Sequence, residues 1–340
     1  MAKYSFKNDY SEGAHEQILN ALSTTNLNQD EGYGEDKYCK EAISLIRKKI
    51  QNPKAEIHFV SGGTQANLIV ISSILKPHES IISATTGHIA VHEAGAIEST
   101  GHKINTVETK DGKLKIEHIK SVLDFHTDEH MVKPKAVFIS NSTEIGSIYS
   151  KKELEELSKF CRKNKLYLYL DGARLGSALT SEKNDLTISE LAKFVDVFYI
   201  GGTKNGALLG EAIVILDDEL KNNFRFYLKQ KGALLAKGRI LGVQFLELFK
   251  DDLFFDLAKH ANRMASKLAN EIKKHNYKFL TEPVSNQIFP ILPNKLIEKL
   301  NQKYGFYVWC KIDDKNSAIR LVTSWATKEE FVNQFIEDLK

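Results

Sequence analysis

Leu166-Tyr167-Leu168-Tyr169-Leu170 runs directly into Asp171-Gly172-Ala173-Arg174. A short apolar run without a charge, closed by turn-forming residues, reads as a buried strand. A strand buried on both faces belongs to a parallel sheet covered by helices. The run leaves an acid at its carboxyl end, and open α/β sheets bind their ligands in the crevice outside those ends. Outward from it, Val195 to Ile200 is a second strand that leads into Gly201-Gly202-Thr203-Lys204-Asn205-Gly206. Glu56 to Val60 is a third, leading into Ser61-Gly62-Gly63-Thr64-Gln65-Ala66-Asn67. Further strands are expected at Ser80–Ser83 and Lys135–Ser140, with helices at Ala66–Leu75 and Lys152–Asn164. Strands that alternate with helices build βαβ units and a mostly parallel sheet, covered on both faces.

Beyond about Gln244 the pattern changes to a long helix (Leu253–His275), a strand-like Gln287–Leu292 and a helix opened by Pro293. Paired strands at Phe306–Ile312 and Ala318–Trp325 follow, then a helix at Lys328–Leu339. At roughly 150 residues per domain, 340 residues suggest two domains. The division expected is a large domain over 1–245, carrying the amino-terminal segment, and a small α+β domain over 246–340.

The 47 Lys and Arg against 44 Asp and Glu leave a net charge of +3, which gives no electrostatic reason for a nucleic-acid or membrane partner. The opening MAKYSFKNDY holds no apolar core of a secretory leader, so a cytoplasmic location is expected. Cys39, Cys161 and Cys310 form no CxxC pair and read as buried or free thiols of a reducing compartment. His88 and His92, like His126 and His130, have the spacing of half a metal site. No HExxH or Cys/His cluster accompanies them, so no metal is expected.

The three strand ends carry complementary chemistry. Glycines before a helix start let unpaired N–H groups approach a phosphate. An acid at the end of 166–170 faces the crevice. A Lys held among small residues and partly desolvated loses its proton more readily and becomes a nucleophile toward an aldehyde. Pyridoxal 5'-phosphate requires this set: a phosphate cradle, an acid to keep the ring nitrogen protonated, and a Lys to hold the aldehyde carbon.

The chain resembles the threonine aldolase and β-eliminating lyase family of fold-type-I pyridoxal-phosphate enzymes, within it the low-specificity L-threonine aldolases. The matching stretches are NDYSEGAH, GYGED at 32–36, VSGGTQAN, GH at 87–88, TEIGSIY, YLDGARLGSAL, FYIGGTKNG with GEAIV, and IRLVTSW. The fold this implies has a seven-stranded, mostly parallel sheet sandwiched by helices. The activity it implies is that of a carbon–carbon lyase cleaving L-threonine or L-allo-threonine to glycine and an aldehyde. β-Elimination and transamination are the alternative chemistries.

Residue by residue, the resemblance implies covalent attachment of the cofactor at Lys204 and pairing of its ring nitrogen with Asp171. It implies phosphate contacts from Gly63 and Thr64, and His88 stacked on the ring. Arg320 would bind the substrate carboxylate, with Arg174 near it and near the cofactor hydroxyl. Tyr33, Lys229 and Arg239 would reach across from a neighbouring subunit of a homodimer or homotetramer. Two departures stand out. Lys7-Asn8-Asp9 replaces a Ser-Asp pair, so Asn8 is the candidate for the lost carboxylate contact. Glu144 stands where many members carry His, leaving His88, Glu144 or a water as the base.

Overall fold

The computed structural model describes residues 3–339. A short strand, β1 (Tyr4–Ser5), precedes two helices, and the sheet-forming region then begins. It contains β2 (Glu56–Val60), β3 (Glu79–Ala84), β4 (Lys103–Val107), β5 (Lys133–Ser140), β6 (Tyr167–Asp171), β7 (Val197–Gly201) and β8 (Glu211–Ile215). These form one seven-stranded sheet in the order β2-β8-β7-β6-β5-β3-β4. The pairs within β7-β6-β5-β3-β4 are parallel, whereas β8 runs antiparallel to both β2 and β7.

The central strands are buried on both faces, and alternate residues feed two separate cores. Val137, Ile139, Leu168, Leu170, Phe198 and Ile200 pack on one side. Ala136, Phe138, Tyr169, Val197 and Tyr199 pack on the other. That period of two is what a pleated strand imposes. The flanking helices are set by their ends. The helix Lys151–Lys163 begins at a capping box in which Ser150 Oγ accepts from the Glu153 N–H and Glu153 returns a bond to the Ser150 N–H. Such a cap stabilises a helix by about 1 kcal/mol. Leu154, Leu157 and Cys161 then face the sheet.

Two strands of the seven-stranded sheet escape the sequence reading. β4 is an edge strand with alternating exposure, and β8 is a short buried run after a glycine turn. The helix expected from Ala66 starts at Gly63, since Gly62, extended and free of a side chain, takes the cap position.

The carboxyl-terminal region holds β9 (Gln287–Ile288), β10 (Ile291–Pro293), β11 (Tyr304–Gly305), β12 (Tyr307–Lys311) and β13 (Asn316–Val322). β13 pairs antiparallel with β12, β10 and β9. Its core gathers Leu268, Ile272, Leu292, Ile319, Leu321, Val332 and Phe335, and Phe6 joins it. The amino-terminal segment, expected with the large domain, instead lays β1 parallel to β11. The reason is local: Tyr4 and Phe6 are an alternating apolar pair, and Phe6 inserts edge-on against Phe335 at 5.5 Å. Among the described residues no helix is long and apolar enough to cross a membrane.

Candidate active site

The carboxyl ends of β2, β3, β5, β6 and β7 open into one cleft of about 710 Å³. Gly63, Thr64, His88, Glu144, Arg174, Lys204 and Arg320 line it, from segments far apart in sequence. The carboxyl-terminal unit closes one wall with Tyr307, Val308 and Trp309, and the amino-terminal segment contributes Tyr10.

Asp171 ends β6 and is 4% exposed. Its Oδ1 accepts from the Tyr199 hydroxyl at 2.6 Å and from the Ala173 N–H at 2.9 Å. Three residues on, Arg174 donates through Nε (2.8 Å) and Nη2 (2.9 Å) to the two oxygens of Asp9. Burial pulls the Asp9 carboxyl up, but Arg174, helped by Lys204 and Asn286, outweighs it and holds Asp9 below the usual carboxylate range.

Lys204 follows β7 and makes no hydrogen bond or ion pair among the described residues; its Nζ stands 6.0 Å from the Tyr10 ring centroid. Burial first, and the Arg174 charge second, lower its pKa below that of an ordinary lysine. The neighbouring Glu211 accepts from the Gly202 N–H at 2.9 Å, and its burial raises its pKa. At the amino end of the helix Gly63–Ile74 the N–H groups of the first turn have no side-chain cap. Unpaired donors at the positive end of a helix suit a phosphate. A Cβ on Gly63 would stand 3.0 Å from Tyr199 Oη, so any larger residue would press on the hydroxyl that holds Asp171.

His88 begins a short helix after Gly87. Its backbone N–H donates to Glu144 Oε1 at 2.9 Å, and the Ser140 hydroxyl donates to the same oxygen at 2.7 Å. Glu144 is thereby turned into an anchor for the His88 turn, and burial, reinforced by Asp171, raises its pKa. Arg320 projects from β13 with Tyr307 and Trp309 beneath its guanidinium at 5.4 and 5.5 Å. Its Nη2 donates to the Lys7 carbonyl at 2.9 Å, and its buried Nε has no partner among the described residues. Burial and Arg174 lower its pKa.

Asn8 does not line this cleft. Its Oδ1 accepts from the Tyr10 N–H at 3.0 Å and the Ser11 hydroxyl at 2.9 Å, which closes a turn. Tyr33, Lys229 and Arg239 also lie elsewhere on the chain. Lys229 stands 5.0 Å over the Tyr33 ring, while Arg239 donates to the Thr25 and Asn28 carbonyls and stacks on Tyr38. Tyr199, Glu211, Tyr10 and Trp309 complete the cleft without having been singled out in the sequence. For Tyr199 a signal was present, because it sits inside FYIGG on the strand next to Asp171.

An anion cradle and a partly desolvated amine thus line one space, with a buried acid bonded to Tyr199 of its wall, and together they fit pyridoxal 5'-phosphate. Residues 9–293 match the sequence profile of the beta-eliminating lyase family. The chain belongs to that family. As a member of the beta-eliminating lyases it is a pyridoxal-phosphate-dependent enzyme. It is 31% identical over 341 residues to the low specificity L-threonine aldolase of Pseudomonas sp. (strain NCIMB 10558), covering 98% of this chain and 96% of that one. The corresponding enzyme of Pseudomonas aeruginosa is 30% identical, with the same coverage of both chains. Among solved structures, the threonine aldolase of Leishmania major is 48% identical with a TM-score of 0.97, over 99% of this chain and 98% of that one. An aspartate aminotransferase of Thermus thermophilus shares the fold at a TM-score of 0.73, 15% identity and coverage of 99% and 91%. The beta-eliminating lyase chain therefore has the fold-type-I architecture.

Proposed function

We propose that the chain is an aldolase that splits the Cα–Cβ bond of β-hydroxy-α-amino acids of the threonine type, releasing glycine and an aldehyde. The observation that carries this reading is that Lys204, His88 and Arg320 line one cleft, with Asp171 bonded behind Tyr199 of its wall, in a chain similar over its whole length to threonine aldolases. Pyridoxal phosphate, when bound, supplies the electron sink for the bond that breaks.

The chain's residues divide the remaining work. The amino end of the helix at Gly63 and Thr64 would hold the phosphate of that group, and Lys204 would hold its aldehyde carbon. Asp171, oriented by Tyr199 and the Ala173 N–H, keeps a ring nitrogen protonated by placing a carboxylate beside it. Arg320 takes the substrate carboxylate in a planar fork, with Arg174 beside it. Fixing the carboxylate decides which bond at Cα is presented for cleavage. His88 lines the cleft and accepts the β-hydroxyl proton. Glu144, already bonded to the His88 turn and to Ser140, supports that imidazole.

A homo-oligomer accounts for Tyr33, Lys229 and Arg239, which lie outside their own cleft and would serve a neighbour's. Exposed Leu27, Tyr33 and Phe226 give that face apolar character. A cytoplasmic location and a tetramer of paired dimers agree with this reading, and light scattering tests the oligomer. The test of the activity is the purified protein with L-threonine or L-allo-threonine. Glycine and acetaldehyde in equal amounts are expected; pyruvate or a converted cofactor instead would replace the aldolase with an eliminating or transaminating enzyme.

A further inference from the structure

Beneath the cleft His88 rests on a network that the reaction above leaves without a task. Its Nδ1 lies 2.8 Å from Glu93 Oε1, and the Glu93 side chain is fully enclosed. The same oxygen accepts from Asn67 Nδ2 at 2.6 Å. Asn67 in turn accepts through Oδ1 from the Tyr169 hydroxyl at 2.7 Å and brings its amide within 3.4 Å of Asp171 Oδ2. Asn67 and Tyr169 are both completely buried, so water does not compete for these contacts.

The donors in this network are decided by chemistry. An ionised carboxylate only accepts, so the hydrogen between His88 and Glu93 belongs to Nδ1. A neutral imidazole bearing that hydrogen carries its lone pair on Nε2. Asn67 cannot reverse its amide without turning Oδ1 toward the carboxylates of Glu93 and Asp171 and its amide donors toward the Tyr169 hydroxyl. Glu93 Oε1 faces two donors at once, Asn67 Nδ2 and the His88 ring nitrogen, which fixes the carboxylate against the ring.

We propose that Glu93 is the positioning residue of His88, fixing the imidazole with hydrogen on Nδ1 and its lone pair on Nε2, while Asn67 ties this pair to Asp171. This rests on the assignment of His88 as acceptor of the β-hydroxyl proton. Through Asn67 the proton-accepting ring and the acid of the cofactor site share one rigid support. The orientation of the base then does not depend on the substrate.

The first readout needs neither cofactor nor turnover. Nitrogen-15 NMR of the cofactor-free protein labelled in histidine, with His88 assigned through the His88→Asn variant, reports which ring nitrogen carries hydrogen. In the wild type the neutral ring is expected with hydrogen on Nδ1; hydrogen on Nε2 overturns the proposal whatever the variants do. Glu93→Gln is expected to mix or reverse the tautomers and to lower kcat on the order of 100-fold with KM within about twofold. Glu93→Asp, which keeps the charge, recovers part of the loss. In a His88→Asn background Glu93→Gln should change kcat less than about twofold, because the residue it acts through is gone. Equal losses in both backgrounds would show a purely structural role and overturn the proposal. A wild-type ring with hydrogen on Nδ1, lost in Glu93→Gln, in a protein that cleaves no β-hydroxy amino acid would uphold the positioning and remove the reaction assigned to the cleft.

Discussion

Asp9 and Arg174, separated by 165 residues, form a two-pronged ion pair at 2.8 and 2.9 Å that joins the amino-terminal segment to the end of β6. Asp9 also accepts from Asn286 Nδ2 at 2.9 Å, so a carboxyl-terminal loop is fastened to the same carboxylate. With Asp9 1% exposed and the Arg174 side chain at 12%, removing one partner leaves a charge almost dry.

Asp9→Asn should therefore destabilise the fold by about 3–5 kcal/mol at neutral pH, measured by urea unfolding. Asp9 has a folded pKa below the ordinary 3.8, since Arg174 outweighs burial. A depressed carboxyl contributes stability above its unfolded value and loses it as pH falls through the folded one. The gap between wild type and variant should thus be full near pH 7 and narrow below pH 3.8. A gap that widens in acid would sink this account.

Lys204 should titrate below the other lysines of the cofactor-free protein, because burial and Arg174 both disfavour its charged form. Reductive methylation with carbon-13 formaldehyde places a reporter on each amine. The Lys204 resonance, identified by its loss in Lys204→Ala, should move at a lower pH than the bulk. Lys204→Ala itself should fold normally and show no detectable turnover.

Arg320→Lys tests the fork. Lysine keeps the charge but offers a point rather than two parallel donors. Losing one charge-assisted hydrogen bond costs about 1.5–3 kcal/mol, so kcat/KM should drop about 10- to 100-fold, with the rise in KM leading. An unchanged KM would move the substrate carboxylate elsewhere in the cleft.

Tyr199→Phe removes the 2.6 Å bond to Asp171 and nothing of the packing around it. The expected cost is about 1–2 kcal/mol in unfolding and a faster release of cofactor on dialysis. Retention equal to wild type would mean that the Ala173 N–H and Asn67 suffice to orient Asp171.

Gly172→Ala should yield little soluble protein. Its Cβ would fall 1.8 Å from the Tyr199 carbonyl oxygen, backbone that cannot step aside without parting β6 from β7. Gly232→Ala is the control for space: it meets no atom within 4 Å, although its φ of +71° carries its own strain.

The strands and the strand-end motifs were legible because burial on both faces leaves an uninterrupted apolar run, and because glycine, acid and lysine mark where it stops. β4 and β8 were not. β4 lies at an edge where Lys103 and Thr106 meet water, and β8 is recognisable as a strand only once β2 and β7 clasp it. Asn67 and Glu93 are ordinary helix and loop residues in sequence. They acquire a function in this reading only from distances of 2.6 and 2.8 Å to partners on other segments.

What the amino-acid order determined by itself was a mostly parallel sheet covered by helices and the residues at its carboxyl ends, since hydrophobic period and turn chemistry act over a few neighbours. Tertiary structure alone decided the state of those residues: which nitrogen of His88 meets Glu93, that Asp9 pairs with Arg174 while Asn8 closes a turn, and that Lys204 has no hydrogen bond or ion pair among the described residues. Hydrogen bonding and desolvation fall off within a few ångströms of space, and no spacing along the chain encodes that proximity.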